Sequence, residues 1–216
     1  MNRKDIKCKM KKDMKCLDAK RDKNKKYKRI YELSAIYMLI AHFGWIFEKL
    51  GRFIVYNSLS DRGFLSLPFC PIYGTAVLGS YLVLGTPQKM RRFTRPLRLG
   101  TINGVALYFL ISFILASVIE LCIGAFFGEV IGFHLWNYSE RAFNIFGYVC
   151  LSYSLLWGAL LTIFMLLLWR RVDLMIGKLS ESVLYGFCNT VYILVFADLL
   201  FNVIYLSLRG THFEFL

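Results

Sequence analysis

Three acidic side chains lie inside long apolar stretches of the sequence: Glu48, Glu120 and Asp198. An ionisable side chain in such a stretch is costly to bury, so it is usually paired, lined by water or functional. Arg52 follows Glu48 by four residues, which places both on one helix face in the order that favours an ion pair. We interpret them as a structural pair. Two neighbouring carboxyl groups can also do acid and base work, so Glu48 with Glu120 is the candidate catalytic pair of an alternative, enzymatic interpretation.

The composition indicates what positions these groups. Of the 216 residues, 57% are apolar and the mean hydropathy is +0.50, whereas soluble domains are about 45 to 50% apolar. Five stretches approach or exceed the roughly 20 apolar residues that a membrane-spanning helix needs. They cover residues 33–56, 68–85, 99–122, 147–169 and 183–206. The sequence therefore predicts an all-α transmembrane bundle of five spans within residues 30–216, preceded by a basic tail, residues 1–29.

The distribution of positive charge predicts the orientation. Residues 1–29 hold 14 of the 27 Lys and Arg residues and 4 of the 14 acids. With the tail inside, 22 positive residues lie on the cytoplasmic side and 3 lie in the outer segments, as the positive-inside rule requires. We expect a multi-pass protein of the cell membrane with a cytoplasmic N-terminus, an extracytoplasmic C-terminus and no cleaved leader. Since the basic residues sit beside a span, we expect contact with membrane lipid and no binding of nucleic acid.

The helical rise then gives the depth of the acids. Glu48 comes 15 residues after Leu33, Glu120 comes 21 after Leu99, and Asp198 comes 15 after Val183. These separations place the three carboxyl groups roughly 22 to 32 Å from the inner boundary of a core about 30 Å thick. All three are predicted to lie in the outer half of the membrane.

Two irregular features interrupt the spans on the outer side. Pro68 and Pro71 flank the start of the second span, where prolines fit a bent, partly unwound turn. Gly124, Gly128 and Gly132 follow one another at intervals of four. We interpret these glycines as a ridge that lets another helix approach closely; the alternative is a flexible or re-entrant segment after Cys122.

No metal or cofactor site is evident. The six cysteines form no CxxC pair and no Cys/His spacing, and cysteines in apolar segments commonly act as small hydrophobic residues. Cys70 is a weak candidate nucleophile, and His42 is interpreted as a satisfied core residue in preference to a proton relay. We therefore assign no catalytic residue, no metal ligand and no cofactor.

The outer-side segments carry a family resemblance. The motifs are Gly44-Trp45-x-x-Glu48, Arg62-Gly63-Phe64-Leu65, Pro68-x-Cys70-Pro71-Ile72-Tyr73-Gly74, Glu120, Glu129, Trp136-x-Tyr138-Ser139, Asn144-x-x-Gly147 and Ser154-x-x-Trp157-Gly158. In this order they resemble the CmpB family, whose members are described as permeases of type IV ABC transporters. The resemblance covers about residues 40 to 160 and implies a permease-like integral membrane protein.

The sequence departs from the family pattern at three positions. Leu67 stands where a glycine is usual, Asn137 where an acid is usual, and Tyr148 where an arginine is usual. The last two departures make a charge network built on that acid and that arginine doubtful in this chain.

Three functions remain open at this point. The first is a permease-like or transport-associated subunit, which would need a separate ABC ATPase because the sequence has no Gly-rich phosphate loop. Five spans are few for a transporter, so a homo-oligomer is also expected, with the glycine ridge as one candidate contact. The second is a membrane-embedded enzyme acting on a lipid or envelope substrate. The third is a scaffold that binds lipid without transporting.

The first function is the one we favour, with a polar site in the outer half of the membrane. Glu48, Arg52 and Glu120 are predicted to line it. Arg62 and Tyr73 are predicted to close its mouth, and the second outer loop is predicted to cover it with Tyr138 and Asn144.

Overall fold

The computed structural model describes residues 3–57, 64–88 and 101–209, and these are helical almost throughout. The α-helices are α1 (Arg3–Tyr56), α2 (Pro71–Leu84), α3 (Thr101–Ala125), α4 (Leu151–Ile163), α5 (Trp169–Gly177) and α6 (Glu181–Arg209). A π-helical turn, Phe126–Ile131, extends α3, and another, Phe164–Leu168, joins α4 to α5. The strands β1 (Asn144–Ile145) and β2 (Val149–Cys150) pair in an antiparallel hairpin. The predicted all-α bundle is confirmed.

The second predicted span is shorter than the sequence suggested. Among the described residues, the helices long and apolar enough to cross a membrane are Lys20–Ile54, Gly104–Ile131, Leu151–Gly177 and Glu181–Arg209. In contrast, α2 has 14 residues, about 21 Å of helix. Pro71 occupies its first turn and Cys70 before it is extended, because proline has no backbone N–H to continue a helix backwards. Residues 64–70 are non-helical.

The helices alternate in direction between two ends of the bundle. We call the end from which residues 3–29 project the tail end, and the opposite one the far end. The helix α1 continues through those basic residues for 54 residues in all. It packs along α2 and α6, while α3 packs along α4. The β-hairpin lies at the far end, between the end of α3 and the start of α4.

Glycines allow two of these helix pairs to approach closely. A Cβ on Gly74 of α2 would lie 2.7 Å from Tyr37 Cδ2 of α1, and one on Gly44 of α1 would overlap the Tyr73 side chain. At the second crossing, a Cβ on Gly158 of α4 would lie 2.8 Å from Phe113 Cβ of α3. Small residues at such positions bring helix backbones together in membrane bundles.

A network of ion pairs and hydrogen bonds joins three helices at the tail end. Arg29 Nη1 donates to Glu32 Oε2 at 3.0 Å and to Asp173 Oδ1 at 2.6 Å, and Arg29 Nη2 donates to the Tyr81 hydroxyl at 3.1 Å. The Tyr81 ring stacks on Trp169 with centroids 4.1 Å apart. One guanidinium therefore joins α1, α2 and α5, a role that the sequence did not predict because Arg29 had been assigned to the tail.

Candidate functional site

The non-helical stretch before α2, residues 64–70, forms the bent segment. The Cys70 N–H donates to the Ala41 carbonyl at 3.0 Å, and His42 Nδ1 lies 2.9 Å from the Pro68 carbonyl oxygen. Ala41 is only eight residues after Leu33, or about 12 Å along the helix. The chain therefore returns from the far end to the middle of α1 before α2 begins, which is the partly unwound turn predicted from the prolines.

A polar cluster on α6 holds the bent segment in place. Asp198 Oδ2 accepts the Leu67 N–H at 3.1 Å, and Asp198 Oδ1 accepts from Asn202 Nδ2 at 3.0 Å. Asn202 Nδ2 also donates to Ser66 Oγ at 3.1 Å. Asn202 is buried, and the spacing of four puts it beside Asp198 on the same face. The sequence located Asp198 in the outer half but did not predict this contact.

Removing the Asp198 carboxylate should release the bent segment. In Asp198→Ala the Leu67 N–H loses its acceptor, and because a hydrogen bond to a charged group contributes about 1.5 kcal/mol or more, opening should become about tenfold more frequent. Alkylation of Cys70 in membranes, followed by mass spectrometry of its peptide, measures that opening. Ser207→Ala on the same helix is the control, since Ser207 bonds only to Val203 of its own helix. Equal alkylation rates in both variants would show that Asp198 does not hold the bent segment in place.

Glu48 lies where the bent segment meets α1. The Cys70 thiol is 3.6 Å from Glu48 Oε2, at hydrogen-bonding distance for sulfur. Tyr73, in the first turn of α2, interacts electrostatically with Glu48, with Cys70 and with Glu120. Arg52 is half-buried one turn further along α1. Two of the predicted carboxyl groups therefore flank the same tyrosine.

Glu120 is the most enclosed acid of the described chain. Its side chain is 4% exposed, and the Tyr138 hydroxyl and the Trp157 indole are the uncharged polar groups that interact with its carboxyl. One carboxyl oxygen, Oε2, is buried without a hydrogen-bond partner among the described residues. A buried charge is normally both paired and fully hydrogen-bonded, so this carboxyl has unused capacity to bind.

Aromatic rings surround Glu120 on the side of α4. Tyr138 stacks on Tyr153 with centroids 4.9 Å apart, and Tyr153 stacks on Trp157 at 6.4 Å. The Tyr73 ring stands at 88° to Trp157 at a centroid distance of 5.5 Å. Burial, together with the nearby Glu120, raises the pKa of Tyr138 above its ordinary value. The Tyr138 hydroxyl therefore keeps its proton and acts as a hydrogen-bond donor at neutral pH.

Comparison with known proteins assigns the family. The family model described as "Putative ABC-transporter type IV", CmpB, matches residues 35–203, which is more than three quarters of the chain. The protein belongs to the CmpB family. No curated protein and no solved structure matches the chain. This CmpB-family chain is thus a membrane protein of an ABC-transporter type, as the motifs of the outer segments implied.

The glycine ridge of this CmpB protein is covered by its own chain. A Cβ on Gly128 would lie 2.5 Å from the Tyr148 hydroxyl oxygen, and one on Gly124 would lie 3.1 Å from Tyr148 Cδ1 and 3.3 Å from Trp136 Cζ2. The ridge is therefore a packing seam, but loop side chains fill it where we had expected another helix. The helix continues after Cys122 to Ala125 and through the π-helical turn, so it has no break at Cys122.

The two unusual residues of the outer loop make local hydrogen bonds. Tyr148, which replaces the arginine usual in CmpB proteins, donates to Glu129 Oε1 at 2.7 Å. This hydrogen bond raises the pKa of Tyr148, and desolvation adds to the effect. Asn137 Oδ1, in place of the usual acid, accepts from the Ser139 N–H at 2.9 Å. Tyr148 and Asn137 therefore make separate local hydrogen bonds at the two positions where the family has an arginine and an acid.

Asn144, predicted to help cover the site, lies at the far end. Asn144 is exposed, and its Nδ2 donates to the Arg141 carbonyl at 2.8 Å while its Oδ1 accepts the Gly147 N–H at 3.1 Å. The Gly147 carbonyl in turn accepts the Tyr138 N–H at 2.8 Å. Asn144 thus shapes the loop that carries Tyr138. Arg62 lies outside the residues that the structure describes.

Two residues of the site escaped the prediction. Trp157 was named only as part of a family motif, yet its indole interacts with Glu120. Ser154, one turn before Trp157, is 1% exposed and its Oγ has no hydrogen-bond partner among the described residues. Their spacing of three on one helix was the available signal. In the described chain, no group of three His, Cys, Asp or Glu residues is arranged to hold a metal ion.

Proposed function

We propose that the protein is a permease-like subunit of an ABC-type transport system, with a ligand site where α1, α3 and α4 meet. The observation that carries this proposal is the Glu120 carboxyl, which is buried between two aromatic donors with one oxygen unoccupied. A purely structural acid would normally have a full set of partners. An incompletely satisfied one inside a membrane bundle is typical of a substrate or ion pathway.

The proposed site has a lining and a cover. Its lining consists of the side chains of Glu48, Arg52, Tyr73 and Glu120. Tyr138 covers it, Asn144 holds the covering loop, and Arg62 is retained as the residue that closes the mouth. The electrostatic interactions of Tyr73 with both acids support the grouping.

We further propose that the tail end faces the cytoplasm of the cell and the far end its exterior. Residues 1–29 form a separate basic segment in this proposal, and residues 30–216 form the membrane domain. The 22 to 3 distribution of positive residues supports it. The polar site then lies on the outer side, facing lipid or the external solution.

A separate ATPase subunit is the partner that this function requires. The tail end offers a surface on α5, where Arg170, Arg171, Leu174 and Met175 are all exposed. Only 6% of the most apolar 18-residue stretch of α6 is buried inside the bundle. We propose that lipid or a second copy of the chain covers that helix.

Purification from the native cell tests the partner. We expect the tagged chain to retain an ATPase subunit, identified by mass spectrometry, whose ATP hydrolysis depends on the chain. Reversal of the tail-end charges in Arg170→Glu/Arg171→Glu should lower the retained ATPase about tenfold, since several charge contacts of about 1 kcal/mol or less are lost together. Arg141→Glu is the matched control, because Arg141 is equally exposed but lies at the far end.

Each outcome has a definite meaning. Loss on reversal of Arg170 and Arg171, with retention in Arg141→Glu, would support both the partner and the orientation. Purification of the chain without an ATPase in every preparation would contradict the transport proposal. Loss only in Arg141→Glu would reverse the orientation.

A further inference from the structure

The Glu120 carboxyl lacks a positive partner within the described chain. The Tyr138 hydroxyl and the Trp157 indole, both uncharged, interact with it, and it takes part in none of the three ion pairs at Arg29 and at the surface of α1. The side chain is 96% removed from solvent. A ligand that carries a positive charge and reaches this carboxyl would stabilise its ionised form.

The free oxygen specifies what kind of cation. Glu120 Oε2 is buried and accepts no hydrogen bond from the described residues, so the incoming group has to carry an N–H or O–H donor. Ser154 Oγ on α4 is also buried without a hydrogen-bond partner among the described residues, and a hydroxyl oxygen can accept an N–H. A quaternary ammonium has no donor, and would leave both oxygens unsatisfied.

The surrounding rings specify the rest of the ligand. Tyr73 and Trp157 meet nearly at right angles, and Tyr153 stacks against Trp157. Aromatic faces attract cations and also accept apolar groups. Glu48, beside Cys70 and Tyr73, provides a second carboxylate close by. Aromatic rings combined with carboxylates are suited to an alkylammonium group, whereas a bare metal ion would need more oxygen ligands.

We propose that the site binds a primary alkylammonium group, with its N–H donors on Glu120 Oε2 and its alkyl part against Tyr73 and Trp157. This inference rests on the proposed function and names its substrate class. The group can come from a small soluble amine or from an ethanolamine lipid headgroup, which share this chemistry.

Binding to the purified protein tests the proposal without any transport assay. The chain is placed in nanodiscs of phosphatidylcholine and titrated calorimetrically with ethylammonium, tetramethylammonium or ethanol. Ethylammonium should bind, and Glu120→Gln should weaken its binding about tenfold or more, since a charge-assisted hydrogen bond is lost. Glu129→Gln is the matched control on the same helix, because Glu129 bonds to Tyr148 away from the site. Native mass spectrometry in mixed lipid nanodiscs shows whether phosphatidylethanolamine is retained in preference to phosphatidylcholine.

The outcomes separate this inference from the transport proposal. Ethylammonium binding that Glu120→Gln abolishes supports a soluble amine, and retention of phosphatidylethanolamine that Glu120→Gln abolishes supports the lipid. Equal binding of tetramethylammonium, equal binding by Glu120→Gln, or absence of binding in both arms overturns the inference. An ATPase partner found together with that absence would leave the transport proposal standing with another substrate. Amine binding without an ATPase partner would support this inference and contradict the transport proposal.

Discussion

Gly158→Ala is expected to separate α3 from α4 and to destabilise the whole far end of the bundle. The new Cβ would lie 2.8 Å from Phe113 Cβ, 2.9 Å from Phe113 Cα and 3.1 Å from Phe113 N. Two of these atoms belong to the backbone, so a change of rotamer cannot relieve the contact. One helix has to move, and overpacking of this kind costs about 1 to 3 kcal/mol.

The displacement should also reach the site. Trp157 adjoins Gly158, and Glu120 lies two turns along α3 from Phe113, so the interaction between Trp157 and Glu120 crosses the same interface. We expect the thermal midpoint in detergent to fall by about 5 °C or more, at about 2 to 4 °C per kcal/mol for a chain of this size. Ligand binding should weaken as well.

Another glycine provides the control. Gly186 on α6 would meet nothing within 4 Å if it carried a Cβ, so Gly186→Ala should raise the midpoint slightly through better helix propensity. If Gly158→Ala were as stable as Gly186→Ala, the close crossing of α3 and α4 would be disproved.

The predicted depth of the acids follows from helical rise and orientation alone. Those two quantities placed Glu48 and Glu120 in the same half of the membrane, and the structure brings both within electrostatic range of Tyr73. The family motifs supplied Tyr73 and Tyr138, which no periodicity would have singled out. The sequence could therefore identify the members of the cluster but not their hydrogen bonds.

The length of α2 was not predictable from hydropathy. Residues 64–70 are mostly apolar, and Phe64, Leu65 and Phe69 are buried. The mean hydropathy of the stretch therefore cannot distinguish this bent segment from a helix. The bent segment is held by the hydrogen bond that the Leu67 N–H donates to Asp198, 131 residues away in the sequence. A contact of that range leaves no local pattern in a single sequence.

The glycine ridge shows a different kind of limit. Spacing by four correctly predicted a close approach to α3, but the same spacing accepts a helix or a large ring. Tyr148 fills Gly124 and Gly128 because the hairpin folds back along α3 after Gly132, which ends the π-helical turn in the left-handed region with φ of 74°. The glycine spacing predicts room for close packing beside α3, and the topology of the chain determines whether a helix or a side chain fills that room.

Removing both hydrogen-bond donors of Glu120 should have the largest effect on the site. In Tyr138→Phe/Trp157→Phe the carboxyl remains enclosed but loses the hydroxyl and the indole that interact with it. Hydrogen bonds to a charged group contribute about 1.5 to 3 kcal/mol each. We therefore expect the thermal midpoint to fall by about 10 °C, and the proposed ligand site to lose its binding capacity.

A third substitution distinguishes this cause from lost packing. Replacing an unsatisfied polar group by an apolar one of similar size removes the desolvation cost, so adding Glu120→Met to the double variant should restore most of the stability but not the binding. Tyr153→Phe is the control for the stacked rings, since Tyr153 packs between Tyr138 and Trp157. It should change the midpoint little. If Glu120→Met gave no recovery, the two donors would act through packing and the carboxyl would not be the centre of the site.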